Sequence, residues 1–212
     1  MAFRLLLSFV LLTSGFSDEI SVFVQTGDSV QLDIQTQELP EFDDLSWINN
    51  KSESIVKYFN KTKELRPHPS YKDRVDFNNK TFSLTLKNMQ KTDSGLYTAR
   101  ISGLQNKDIK KRISVIDAVE APVLAVKSNS SSPDCCTFTC KGNNIIISSI
   151  YNSSSCSSEE VTSSDNYKLS LSCIGDSIMC NYSNPVSWKN DTKKVNELCT
   201  VNKGTYCIHS DL

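Results

Sequence analysis

Sulfur is the most conspicuous reactive element of this 212-residue sequence, whose eight cysteines all lie between Cys135 and Cys207. The run "CCTFTC" brings Cys135, Cys136 and Cys140 together, and thiolates so spaced either hold zinc or pair as disulfides. Histidine is scarce. His68 stands among prolines in "RPHPS" and His209 lies near the end, so a Ser/His/Asp or Cys/His set has almost no base to draw on. Neither a phosphate-cradling glycine loop nor a metalloprotease helix signature occurs. The expectation is a chain that is no enzyme, takes no cofactor and turns over no small-molecule substrate. "KDIKKR" (107–112) looks like a nucleic-acid patch in isolation, but 23 Lys and Arg face 24 Asp and Glu, a net charge of −1. Bulk electrostatics therefore points neither to nucleic acid nor to an anionic membrane.

Asparagines come next. Asn-x-Ser/Thr sequons fall at Asn50, Asn60, Asn79, Asn129, Asn152, Asn181 and Asn190, a density that fits passage through the glycosylation machinery. Residues 1–17, "MAFRLLLSFVLLTSGFS", have an early Arg4, an apolar stretch from Leu5 to Leu12 and small residues before Asp18. That layout predicts a signal peptide cleaved after Ser17, because a membrane span needs about 20 apolar residues. In an oxidising compartment an even cysteine count reads as disulfides rather than zinc. After Cys207 only the tail "IHSDL" (208–212) remains. The product as written is expected to be extracellular and secreted. The alternative is a truncated or spliced form of a membrane receptor, displayed on the plasma membrane only through an anchor this sequence lacks.

The elements that must position these groups have a period of two. "ISVFV" (20–24), "VQLDI" (30–34), "LSWI" (45–48), "RVDF" (74–77), "TFSLTL" (81–86), "LYTARIS" (96–102) and "IKKRISVI" (109–116) are short, β-branched or aromatic, and separated by turn-formers. That strand count predicts a β-sandwich over 18–117, and its anchors make it resemble a variable-type immunoglobulin domain. Trp47 stands where strand C buries a tryptophan, Tyr97 after "TDSG" fits a tyrosine corner, and Arg74 and Asp93 fit an ion pair at the base. "GDSVQLDI" and "DSGLYTA" set Ile34 and Ala99 where two bridging cysteines would sit. Burial of Ile34, Leu32, Trp47, Leu84, Leu86, Tyr97 and Ala99 must then replace the roughly 2 to 4 kcal/mol of a disulfide.

The junction "DAVEAP" (117–122) is short, which predicts a semi-rigid pair of domains, and "VLAV" opens a second sandwich over 121–207. Cys140 and Cys180 meet the spacing of strands B and F of an immunoglobulin sandwich. A bridge-free variable-type domain, then a cysteine-rich constant-type (C2) domain with "CCTFTC", "NYSNPVS" (181–187) and a late Cys199, resembles the signalling lymphocytic activation molecule (SLAM) family, closest in character to its fish members. The resemblance implies two tandem immunoglobulin-like β-sandwiches, an all-β chain, with Cys140 bonded to Cys180 and Cys136 to Cys199. Departures are the missing tryptophan after Cys140 and Ile178 in "SIMC", where the family has a tyrosine. Cys135, Cys156, Cys173 and Cys207 are extra, and their pairing stays open. If a strand ending at Cys173 runs antiparallel beside strand B, Cys135 is its candidate partner, which leaves Cys156 and Cys207 to pair or stay free. The serine-rich stretch 148–166 reads as a glycan-bearing edge or a low-complexity linker.

The same resemblance implies recognition through the C, C′, F and G face of the first domain, by an identical molecule or a SLAM-family relative on immune cells. With Trp47, Tyr97 and Ala99 inward, strand parity puts Ser46 and Ile48 on C, and Thr98, Arg100 and Ser102 on F, outward. Lys110, Arg112 and Ser114 follow on G. Within "SIVKYFNKT" the parity of C′ is ambiguous, so Lys57, Tyr58 and Phe59 all enter, with a glycan on Asn60 able to shield them. The expected face is polar and basic around Ile48. The function so read is immune-cell adhesion and recognition; the alternative is a secreted structural or carrier glycoprotein using the fold as a scaffold.

Overall fold

Alternation becomes pairing throughout the chain. The computed structural model describes residues 19–34, 39–129, 132–152, 155–156, 160–174 and 177–195. The signal segment 1–17, Cys199, Cys207, His209 and the tail 208–212 lie outside the described residues. Two compact units divide between Asp117 and Ala118, and both are all-β.

The first unit contains β1 (Glu19–Gln25), β2 (Val30–Leu32), β3 (Phe42–Ile48), β4 (Ser54–Phe59), β5 (Glu64–Pro67), β6 (Val75–Phe77), β7 (Leu84–Leu86), β8 (Gly95–Gly103) and β9 (Lys107–Ile116). One sheet runs β1-β9-β8-β3-β4-β5 and the other β2-β7-β6. The first strand joins the last in parallel. β5 gives no sequence signal because all four of its residues are exposed, so nothing alternates.

Between the sheets Leu32, Leu45, Trp47, Leu84, Leu86, Ala99 and Ile101 are buried. The Trp47 indole N–H donates to the Phe82 carbonyl at 3.1 Å, satisfying the one polar atom that the ring brings into the core. Of the two bridge positions, Ala99 is wholly buried, whereas Ile34 lies past the end of β2 and is only partly buried against the core. Each large apolar side chain buried contributes roughly 1.5 to 3 kcal/mol, so two or three of them offset a missing bridge.

"DSGLY" earns its shape at the base of the sandwich. The Tyr97 hydroxyl donates to the Asp93 carbonyl at 2.7 Å, while Arg74 donates to both Asp93 carboxylate oxygens at 2.6 and 3.3 Å. Gly95 has φ +149°, and a Cβ there would lie 2.6 Å from the Asn50 amide nitrogen. Glycine is required both by that angle and by that approach.

The second unit contains β10 (Val123–Asn129), β11 (Ser132–Gly142), β12 (Ile145–Asn152), β13 (Ser155–Cys156), β14 (Glu160–Ser164), β15 (Tyr167–Ile174), β16 (Ser177–Asn184) and β17 (Ser187–Lys194). They form sheets in the orders β10-β11-β12-β13 and β14-β15-β16-β17. Within each sheet every strand pairs antiparallel with its neighbour in sequence, while β13 and β14 fall in different sheets. Asn143 and Asp165 take left-handed φ in two of the connecting turns, and Asn184 Oδ1 accepts from the backbone of Val186 and Ser187 in a third. β15, which carries Cys173, pairs with β14 and β16, and the side chain of Cys135 lies outside the described residues. The serine-rich stretch runs from β12 through two edge strands, β13 and β14.

Cys140 on β11 and Cys180 on β16 are joined by a disulfide with Cα atoms 5.6 Å apart, so the bond ties one sheet to the other. Phe138, Leu124, Leu169 and Tyr182 are buried in the same core as this bond. Ile178 is buried in the same core. Val119, read as linker, belongs to this core as well, its N–H donating to Ser187 Oγ at 2.7 Å.

Candidate functional site

The outer face of β9-β8-β3-β4-β5 collects the candidate residues in cross-strand rows. Directly opposed positions share a face. One row reads Asp108, Arg100, Ser46, Lys57, Arg66 from β9 to β5, and the next reads Ser102, Asp44, Phe59, Glu64 from β8 to β5. Lys110, Thr98 and Ile48 form a third. Arg112 lies farther along β9, opposite Leu96 on one side and Ser21 of β1 on the other.

Phe59 is the centre of the C′ side. The Lys57 ammonium lies 5.2 Å from its ring centroid and the Arg66 guanidinium 4.8 Å, so two cations meet one aromatic ring. Both cations also have anions. Lys57 sits 3.3 Å from Asp44, Arg66 2.8 Å from Glu64, and Arg100 3.2 Å from Asp108. The hydrogen bond from Arg66 holds the Glu64 carboxyl below its ordinary range. The expectation of a basic face is thereby corrected: Asp44, Glu64 and Asp108 give it both signs.

Other candidates are redistributed. Ser46 keeps the outward parity but is only 9% exposed, a short side chain between Lys57 and Arg100. Arg100, Lys110 and Arg112 are exposed, and Ile48, Lys57, Phe59, Thr98, Ser102 and Ser114 are half-buried. Tyr58 faces inward, packed against Phe77 and Phe82 with centroids 5.4 and 5.6 Å away. Arg66, Glu64, Asp44 and Asp108 were not read from the sequence; the alternating charges of "ELRP" were the available signal for the first two. Also unforeseen is Lys111, opposite Tyr97 on the inward face and 4% exposed. Burial pushes its ammonium pKa down, and Asp33 opposes the shift.

His68 Nδ1 accepts the Ser70 N–H and opens a single 3₁₀ turn, Pro69–Tyr71. The sulfurs of Cys136, Cys140, Cys173 and Cys180 are in disulfides, so they are not zinc ligands. Among the described residues no three metal-ligating side chains cluster. Asn50, Asn79 and Asn190 are exposed. Asn60 ends the C′ region with its amide donating to the Phe42 carbonyl at 3.0 Å. Asn181 is half-buried, and the side chains of Asn129 and Asn152 lie outside the described residues. No described helix is long and apolar enough to cross a membrane.

Comparison with known proteins agrees with this architecture. Residues 17–115 match the immunoglobulin V-set domain family, so the first unit is an immunoglobulin V-set domain. None of the curated proteins compared matches the sequence. In fold the chain is similar to the CD2-binding domain of CD58 (lymphocyte function-associated antigen 3), with TM-score 0.55, 16% identity, 84% of this chain and 97% of that chain covered. Murine CEACAM1b gives TM-score 0.55, 19% identity and coverage of 82% and 94%. The first immunoglobulin-like domain of human CD48 gives TM-score 0.47, 22% identity and coverage of 54% and 96%.

Proposed function

We propose that this chain is an extracellular recognition protein of SLAM-family type that binds a protein partner on immune cells through the outer face of β9-β8-β3-β4-β5. The observation that carries the reading is Phe59, an aromatic ring on an open sheet face, gripped by Lys57 and Arg66 and surrounded by ion pairs. Interfaces concentrate affinity in aromatic and arginine anchors, and charges around them steer association and reject wrong partners. The likeness in fold to a CD2-binding domain supports a protein as the partner class. A carrier role finds less support. The cleft beside Tyr58, Leu65 and Phe77, about 520 Å³, is lined also by Lys63, Asp76 and Asn79, unlike the mostly apolar pocket a carrier needs.

The test uses fluorescent multimers of the full chain on a panel of leukocytes. Phe59→Ala combined with Arg66→Glu is expected to lower binding by roughly tenfold or more while the thermal melt stays in place. Undiminished binding by that variant sinks the proposed face. Absence of any cell binding, with retention of a small apolar cargo, favours the carrier.

A further inference from the structure

We infer that Asn190, and not Asn181, carries an N-linked glycan, and that its first N-acetylglucosamine lies on the exposed indole of Trp188. The inference rests on the export reading above and goes beyond it to a modification site in the second unit.

β17 is an edge strand. Trp188 and Asn190 stand two residues apart on it, so their side chains leave the same outward face. Trp188 is 65% exposed, and the residues sharing its row are Ser183, Lys168 and Ser163. No neighbour in that row has an apolar surface to cover it. The indole face is therefore open on this side of the sheet. The sequon "NDT" begins on the adjacent row of the same face. A pyranose presents a set of C–H groups to an aromatic ring, whose face carries the negative lobe of its quadrupole, and a sugar tethered at Asn190 needs to span only one row.

Asn181 lies directly opposite Asn190 on β16. Cβ atoms of such a pair are about 5 Å apart, too close for two branched glycan cores to leave side by side. The two asparagines differ in freedom. Asn190 is exposed, and among the described residues its side-chain amide contacts the Met179 sulfur at 3.6 Å, a weak acceptor. Asn181 is on an interior strand, between Ser170 and Asn190, with its carboxamide oxygen buried. The edge position is the one from which a glycan can project.

The test expresses the full chain through the secretory pathway, maps sequon occupancy by mass spectrometry after enzymatic deglycosylation in heavy-oxygen water, and measures acrylamide quenching of tryptophan fluorescence. Trp47 is wholly buried, so the quenchable emission reports Trp188. Expected are an occupied Asn190, an empty Asn181 and a quenching constant clearly below that of Asn190→Gln. Trimming the wild-type glycan to one sugar should keep the protection, a comparison that needs no variant to fold. The inference is overturned if Asn190 is empty while other sequons are filled, if Asn181 is filled on the same molecules, or if quenching ignores the glycan. Seven empty sequons would overturn the export reading itself, and this inference with it.

Discussion

Trp47 lies directly opposite Ala99 in the register of β3 and β8, and neither side chain has any exposed surface. The small residue at a bridge position thus leaves room for the large one beside it. Ala99→Leu should therefore overpack this site and destabilise the first unit by about 1 to 3 kcal/mol. Urea unfolding followed by near-ultraviolet dichroism would measure it. A change below a few tenths would mean the indole is not confined there.

Tyr97 makes the next prediction. Desolvation, with Asp93 next, pushes its pKa well above the ordinary 10. The folded chain then keeps a proton that the unfolded chain loses, so this contribution is whole below pH 10 and declines as pH rises from there toward the folded value. Tyr97→Phe should cost about 1 kcal/mol at pH 7 and show a flatter stability profile above pH 10. An equally steep alkaline decline in both proteins would refute the assignment.

Lys111 has the opposite sign. Its folded pKa is lowered by burial, so the charged ammonium opposes folding at neutral pH and the penalty fades as pH climbs toward 10.5. Lys111→Met should stabilise the first unit at pH 7, by on the order of 1 kcal/mol, with the gain shrinking near pH 10. Chemical denaturation at the two pH values separates this from a general packing effect, which would not vary with pH.

The Cys140–Cys180 bond closes a loop of 40 residues across two sheets. Cys140→Ala with Cys180→Ala should lower the stability of the second unit by about 2 to 4 kcal/mol. Differential scanning calorimetry is the measurement, and an unmoved transition would show that Phe138 and its neighbours hold the sheets alone.

Mixed charge on the first sheet predicts the kinetics of partner binding. Association should slow as salt rises, since screening lengths shrink to about 10 Å at 0.1 M, whereas dissociation should respond mainly to Phe59→Ala. Surface plasmon resonance across a salt series distinguishes the two effects. A salt-independent on-rate would argue that the ion pairs of Lys57, Arg66 and Arg100 play no part in steering.

Parity and turn chemistry are local properties of a chain, and they could be read directly from the residues. The inward course of Trp47, Tyr97 and Ala99, the Arg74–Asp93 pair and the tyrosine corner all follow from alternation and from "DSGLY". Register is not local. Phe59 meets Arg66, Arg100 meets Asp108, and Ser46 disappears between Lys57 and Arg100 only because separate strands align at one offset out of several. β5 leaves no mark in the sequence because an entirely exposed strand has no alternation. In the second sandwich the cysteine spacing is visible, yet the β11–β12 and β14–β15 pairings turn on Asn143 and Asp165 taking left-handed backbone angles. One-dimensional patterns state which way a side chain points, and folding alone chooses the neighbour it points beside.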